Sequence, residues 1–348
     1  MHEIPARSRR LLATGTSAAF LLLAIVAALA TLAARPAEAC DICAIYSATD
    51  VAEEKTGIRL GFAEQYTQFG SEQLNGRNQP NPFGEHLYSS NTQLFGGYQF
   101  NKWIGLQLNV PILVRSWRRV LEDGDIQEST RGGIGDIALI ANLLAYDALW
   151  DNSIFRFTLL GGLKFPTGNA DFLSEELAEQ QADEEPASVK HGDEEHGDFQ
   201  SGVHGHDLAF GSGSVDGIVG YTIYWSYYRF FMTAAMQYKA TTEGSFDYQF
   251  ANDLTWLGGP NYYLLLDHDY ALSMGASLSG ETKGLDTQKG QRLDDTGITA
   301  LYVGPAFDFA WESKLSAEIA ADLPVVQNNT AYQIVPDFRL RAALVWRF

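Results

Sequence analysis

Two stretches of this sequence carry side chains able to bind or exchange something: "CDIC", Cys40 to Cys43, and the acidic, histidine-bearing run 169–212. Two thiols separated by two residues suit one half of a metal site, a redox pair or a small disulfide. Haem attachment needs His after the second Cys, where Ala44 stands, and no second C-x-x-C completes a four-thiolate zinc site. In an oxidising compartment an intramolecular disulfide or a redox-sensitive pair comes ahead of metal binding. The second stretch holds eleven carboxylates and one Lys between Asp171 and Asp198. His191, His196, His204 and His206 also fall in it, four of the seven histidines, so the run concentrates potential ligands. Imidazole with carboxylate is a ligand set for Zn, Cu and Ni, and His204-Gly205-His206 can chelate loosely. The first reading is nonetheless a solvated, mobile acidic loop, since low hydrophobicity with high charge buries too little to order itself. Weak Zn or Cu capture comes second.

Whether either stretch does anything depends on what holds it. The chain has 348 residues, and its two cysteines are too sparse to be a disulfide framework. A formal charge of −19 argues against nucleic acid, whose phosphates call for Lys and Arg. Residues 1–39 read as an export signal: Arg7, Arg9 and Arg10 are a basic start, Ala18 to Ala34 an apolar core, Ala37-Glu38-Ala39 a cleavage site. The segment carries four Arg and two Glu, so its removal takes the charge from −19 to −21. Residues 40–56 are then a periplasmic N-terminal segment. Beyond the signal no run of about 18 apolar residues exists that could span a bilayer as a helix.

Spanning falls instead to strands. From residue 57 the chain divides into twelve stretches with period-two apolarity, separated by Gly, Asn, Asp and Pro. They lie near 57–69, 87–100, 103–117, 134–147, 153–166, 214–225, 228–240, 254–266, 270–282, 298–311, 314–323 and 337–348. Rows such as Ile104-Leu106-Leu108-Val110-Ile112-Val114 and Phe338-Leu340-Ala342-Leu344-Trp346-Phe348 contain no charge. The opposite rows hold Arg115, Arg156, Lys164, Glu281, Lys314, Glu318, Asp322, Arg339 and Arg341. A charge facing lipid at the midplane costs about 2–4 kcal/mol, so one face must be clean while the lumen face need not be. Short gaps alternate with long ones, and Trp103, Trp150, Trp225, Trp311 and Trp346 fall at or beside the short-turn ends. This is an antiparallel transmembrane β-barrel of about 12 strands, with short periplasmic turns, long extracellular loops and an interfacial aromatic girdle. Two strands resist the pattern: Glu64 shares a row with Ile58, Leu60 and Phe62, and Tyr262 to Leu266 has no clear face.

Three Gly-rich stretches add a family expectation: "GGIGDIAL" (Gly132 to Leu139), "LKFPTGN" (Leu163 to Asn169) and "GSGSVDGIVGYT" (Gly211 to Thr222). In this order on a strand ladder the chain resembles the outer-membrane barrels of the phenol-degradation MetA-pathway transporter group. That resemblance implies passage of small, often hydrophobic compounds across the outer membrane. By themselves the motifs read as architecture, with Gly at tight turns and Asp136 and Asp216 as turn caps or rim charges. Typical members carry an aromatic where Val215 stands.

The functional expectation is a passive channel for small solutes, without covalent chemistry. Its lumen is lined by Arg156, Lys164, Arg229, Lys239, Glu318, Asp322, Arg339, Arg341 and Arg347. His86 and His268 are isolated and no Ser/His/Asp arrangement stands out, which argues against an enzyme. The expected partners are outer-membrane lipid, a small solute and the barrel-insertion machinery, which reads a terminal aromatic such as Phe348. The alternative is a metal-receptor barrel, or a sheath for a periplasmic electron-transfer partner, using the His loop or the C-x-x-C.

Overall fold

The computed structural model describes residues 56–121, 123–175 and 200–348. The export signal, Cys40, Cys43, His191 and His196 lie outside these described residues.

Twelve long antiparallel strands form the wall. They are β1 (Gly57–Leu74), β2 (His86–Gln99), β3 (Ile104–Val120), β4 (Ile137–Trp150), β5 (Ser153–Phe165) and β6 (Asp216–Tyr227). They continue as β7 (Phe230–Ala240), β8 (Asp253–Leu266), β9 (Tyr270–Lys283), β10 (Ile298–Trp311), β11 (Leu315–Asn329) and β12 (Tyr332–Arg347). Each pairs with its neighbours in chain order, and β12 returns to β1 from Arg59↔Arg347 to Leu74↔Tyr332. Closure leaves the sheet without a free edge strand, the condition for crossing hydrocarbon with strands.

The polarity of this cylinder is inverted relative to a water-soluble fold. Leu106, Leu108, Leu159, Leu163, Met274, Ile319, Leu340 and Leu344 are exposed on the outside, whereas Arg115, Lys164, Lys239, Glu281, Asp322 and Arg339 are buried inside. Strand alternation makes the two sets separable, because successive side chains point to opposite faces. Soluble monomers rarely expose contiguous apolar surface beyond a few hundred Å², so the outer band belongs in lipid. At the short-turn end Trp103 and Trp150 are exposed, and Trp311, Trp346 and Phe348 stand ring to ring at 6.1 and 6.4 Å. These amphipathic rings mark an interface.

Both irregular strands have local explanations. Glu64 does lie on the outer row, where its carboxylate accepts hydrogen bonds from Ser90 Oγ at 2.6 Å and from Thr92 Oγ1. In β8 the register slips between Tyr263 and Leu265, a bulge that reverses the parity of the side chains and erases any single face.

Two expected long loops prove to be strand. Residues 118–133 form most of a hairpin arm, β3 pairing with a strand at Ile126–Ile134. β4 follows that strand after a break at Gly135-Asp136. Residues 324–336 continue β11 and begin β12, joined through Thr330 and Ala331 alone. Pro324 and Pro336, neither of which can donate to a ladder, bound this stretch. Here no β11–β12 ladder exists at their level. Pairing between these strands runs from Leu315↔Trp346 only to Asp322↔Arg339, although both continue beyond. Above that point Gln327 Nε2 donates to the Pro336 carbonyl at 2.6 Å, and Val335 turns inward onto Ile298, Ala300 and Tyr302.

Candidate functional site

The three Gly-rich stretches meet at the long-loop end, around one ammonium group. Lys164, near the end of β5, reaches Asp136 Oδ2 at 2.5 Å and Asp216 Oδ2 at 2.7 Å, with all three side chains buried. Asp136 also accepts from Gly168 N at 3.0 Å and from Ser212 N and Oγ at 3.0 and 2.9 Å. Asp216 accepts from Ser214 Oγ at 2.8 Å and Thr242 N at 3.0 Å. Burial alone would raise the Asp136 pKa, but Lys164 and the amides of Gly168 and Ser212 outweigh it and hold the carboxyl below its ordinary range. Gly168 and Gly211 permit the backbones to touch: a Cβ on Gly168 would stand 2.5 Å from Phe210 O, and one on Gly211 2.6 Å from Gly168 C. The motifs therefore fasten the return leg of a long loop to the wall.

From this knot, residues 200–212 run across the mouth of the barrel. Gly205–Leu208 make a short helical turn, α1, preceded by His204. Val203 and Leu208 pack on Leu87, Trp117 and Ile334. Ala209 joins Leu173, Ala170, Tyr248, Phe250 and Leu293 in a second apolar cluster built from several loops. Burying a Val or Leu is worth about 1.5–3 kcal/mol each, so Val203 and Leu208 alone give this segment a strong inward preference. At its near end Ile334 N donates to Gly202 O at 2.8 Å, while Ser201 Oγ and Gly202 N donate to Glu85 at 2.6 and 3.0 Å.

The expectation of a solvated, mobile loop is thus corrected for residues 200–212. The acidic composition belongs to the part before them; "VHGHDLAF" is largely apolar and pays for its own ordering by burial. His204 and His206 stack, ring centroids 5.4 Å apart and planes within 7°. His204 Nδ1 is 3.3 Å from Asp295 Oδ2, its Nε2 is 3.2 Å from Tyr332 O, and His206 Nε2 is 3.5 Å from Asp207 Oδ1. Among the described residues no group of three or more His, Cys, Asp or Glu could hold a metal ion.

Beneath the segment the interior is a series of small cavities. The first, about 70 Å³, has Phe69, Leu87, Arg115, His206, Glu281 and Arg339 among its walls. Arg339 bonds Glu281 at 2.5 Å and lies 4.0 Å over the Tyr302 ring. Two positions further along β12, Arg341 holds Asp322 at 3.0 Å, Glu318 at 3.3 Å and Ser277 Oγ at 2.5 Å, beside a cavity of about 20 Å³. Asp308 borders that cavity and also the third, about 150 Å³, at the short-turn end. Tyr224, Phe231 and Tyr263 form an aromatic tray there, with Phe231 and Tyr263 at 4.5 Å and the two hydroxyls at 3.3 Å.

Most of the charged residues singled out from sequence are buried on the inner face in ion pairs, including Lys239 with Asp253 at 2.6 Å. Arg156 pairs with Asp147 at 3.2 Å, and Arg347 borders the third cavity. Arg229 stands elsewhere. It occupies the exposed turn between β6 and β7 and donates to the carbonyls of Tyr263 and Leu264, both at 3.2 Å, because the inward alternation has already ended there. Sequence reasoning missed Glu72, Glu85 and the aromatic tray. No motif marks them, since the strands that supply them are far apart in the chain.

No family model and no curated protein matches this sequence. Among solved structures, the fold is similar to that of an outer membrane channel from Pseudomonas putida F1. The TM-score is 0.54 at 16% identity, covering 87% of this chain and 100% of that one. Lower likenesses are to the translocator domain of the autotransporter NalP from Neisseria meningitidis (TM-score 0.39, 12% identity, 86% and 91% covered) and to a Pseudomonas aeruginosa FadL homologue (0.32, 10%, 84% and 90%). Closure, strand number and the first of these likenesses agree: the chain folds as a twelve-stranded barrel of the outer-membrane type.

Proposed function

We propose that this protein is an outer-membrane channel through which small, partly hydrophobic solutes diffuse passively, without covalent chemistry. The observation that carries this reading is the presence, among the described residues, of cavities with polar and charged linings inside a closed wall whose outer face is apolar. The ion pairs along β12 support it. Arg339 and Arg341 are drawn against carboxylates, which lowers the net field a neutral solute meets while keeping the lining polar. The aromatic tray at the far end offers a planar apolar surface to a solute that has shed water. The solute class accords with the motif resemblance, and the P. putida protein is itself described as a channel. Export to the periplasm and insertion from that side are part of the proposal.

The metal-receptor alternative is not adopted, because His204 and His206 serve packing and hydrogen bonds within the inward segment. The test is swelling of liposomes holding the purified full chain, in neutral sugars and small aromatic solutes. Replacing residues 200–212 by a short Gly/Ser linker should raise the swelling rate at least several-fold. A barrel impermeable to every solute in both forms would refute the channel reading.

A further inference from the structure

The near end of the inward segment is held by two glutamates that the channel reading leaves unused. Glu85, 2% exposed, accepts from Ser201 Oγ at 2.6 Å, Gly202 N at 3.0 Å and Val120 N at 2.7 Å. One carboxylate thereby joins the segment to the end of β3 and to the connection before β2, and every one of these donors is neutral. Glu72 of β1, 1% exposed, belongs to the same cluster. One of its oxygens accepts from the Tyr332 hydroxyl, and the other is buried without a hydrogen-bond partner. Two ionised carboxylates in such a place would repel each other and leave an acceptor unsatisfied. A proton on Glu72 removes the repulsion.

We propose a proton-operated latch in which Glu85 ties down the segment and Glu72 is the group that titrates: with Glu72 protonated, residues 200–212 are held across the lumen, and loss of that proton releases them. The proposal rests on the channel reading for its consequence, not for its geometry. The first cavity is walled by Phe69, Leu87 and Ile334, on the same strands that carry Glu72, follow Glu85 and carry Tyr332, so release of the segment uncovers it.

The sign follows from Glu72 and its direct partners, set among the charged groups on the elements packed around them. Glu72 stands near the long-loop tip of β1, beyond the spanning part. Its burial, reinforced by the neighbouring Glu85, pushes its carboxyl up to about 7, against the opposing hydrogen bond from Tyr332. Tyr332, on β12, is itself raised by burial and by Glu72 and stays neutral. The segment presents His204, His206 and Asp207, the β9–β10 loop presents Asp295, and Arg119 of β3 is held by Glu175 at 2.7 Å and by Gln127. The closed form therefore binds the extra proton. It is favoured below pH about 7 and lost as pH rises through that value, by at most about tenfold in the closed-to-open ratio per pH unit for one proton.

The experiment records single-channel conductance of the full chain in planar bilayers from pH 5.5 to 8.5. In parallel, hydrogen exchange at residues 200–210 is followed, corrected for the intrinsic pH dependence of exchange. Open probability and corrected exchange should both rise about tenfold or more across this range. Glu72→Gln, neutral and of equal size, should stay closed and protected throughout, whereas His204→Gln should keep the wild-type pH response. Heat-modifiable mobility on gels checks that each variant is folded. A Glu72→Gln protein that opens with pH like the wild type, or exchange that ignores pH, would overturn the latch. Exchange that rises with pH and stops doing so in Glu72→Gln, in a barrel without conductance, upholds the latch and refutes the channel.

Discussion

Lys164→Met will cost the barrel about 3–5 kcal/mol, the usual penalty for removing one partner of a buried ion pair. The ammonium lies between Asp136 and Asp216, at 2.5 and 2.7 Å, and all three are excluded from solvent. Methionine fills much of the volume but leaves two carboxylates facing each other. The hydrogen bonds from Gly168, Ser212, Ser214 and Thr242 remain, and they are too few to replace a full positive charge. Because Ser212 and Gly168 hang on Asp136, the damage should spread to the segment that crosses the lumen. Urea unfolding in detergent micelles measures the loss. Adding Asp136→Asn and Asp216→Asn to Lys164→Met should recover part of it, since the orphaned charges are then gone. A single variant within about 1 kcal/mol of wild type would mean the three motifs do not depend on this knot.

Leu340→Arg is the second large effect, expected at about 2–4 kcal/mol against folding into a bilayer. Leu340 lies on the outer face of β12, between Tyr66 of β1 and Ala321 of β11. Its neighbours Arg339 and Arg341 point the other way and find Glu281, Asp322 and Glu318. One step along the strand thus changes the solvent from paired carboxylates to hydrocarbon. The same replacement at Asn328, exposed at the long-loop end, should cost less than about 1 kcal/mol, because the penalty fades towards the interface. Equal folding of the two variants into vesicles would show that the outer row does not face lipid.

The wall was legible because lipid imposes a strict rule on each strand separately. Charge-free rows such as Leu340-Ala342-Leu344 needed no knowledge of their neighbours. The rule failed where one residue is inserted, as at Leu264, since parity reverses and neither face looks clean. It also failed at Pro324 and Pro336, where composition reads as turn but the strands have merely parted. The interior was harder. Lys164, Arg339 and Arg341 could be placed on inner rows, yet their partners come from other strands, and spacing says nothing about register. The crossing segment was misjudged because its acidic prefix dominated the composition. Val203, Leu208, Ala209 and Phe210, four apolar residues within eight positions, were the available signal. Glu72 and Glu85 gave none, because a pair of glutamates thirteen residues apart is ordinary until a hairpin brings them together.

The half-length junction between β11 and β12 bears on how the molecule comes apart. The join between β1 and β12 is stitched along nearly its whole height, from Arg59↔Arg347 to Leu74↔Tyr332, whereas β11 and β12 share backbone bonds only up to Asp322↔Arg339. Rupture under denaturant should therefore start as a tear at the top of that shorter seam, and β12 should peel away still attached to β1. Amides of residue 323 and of residues 325–328 will lose protection earliest among the wall strands, ahead of those in β2, β3 or β9, because subglobal opening begins where the fewest bonds must break.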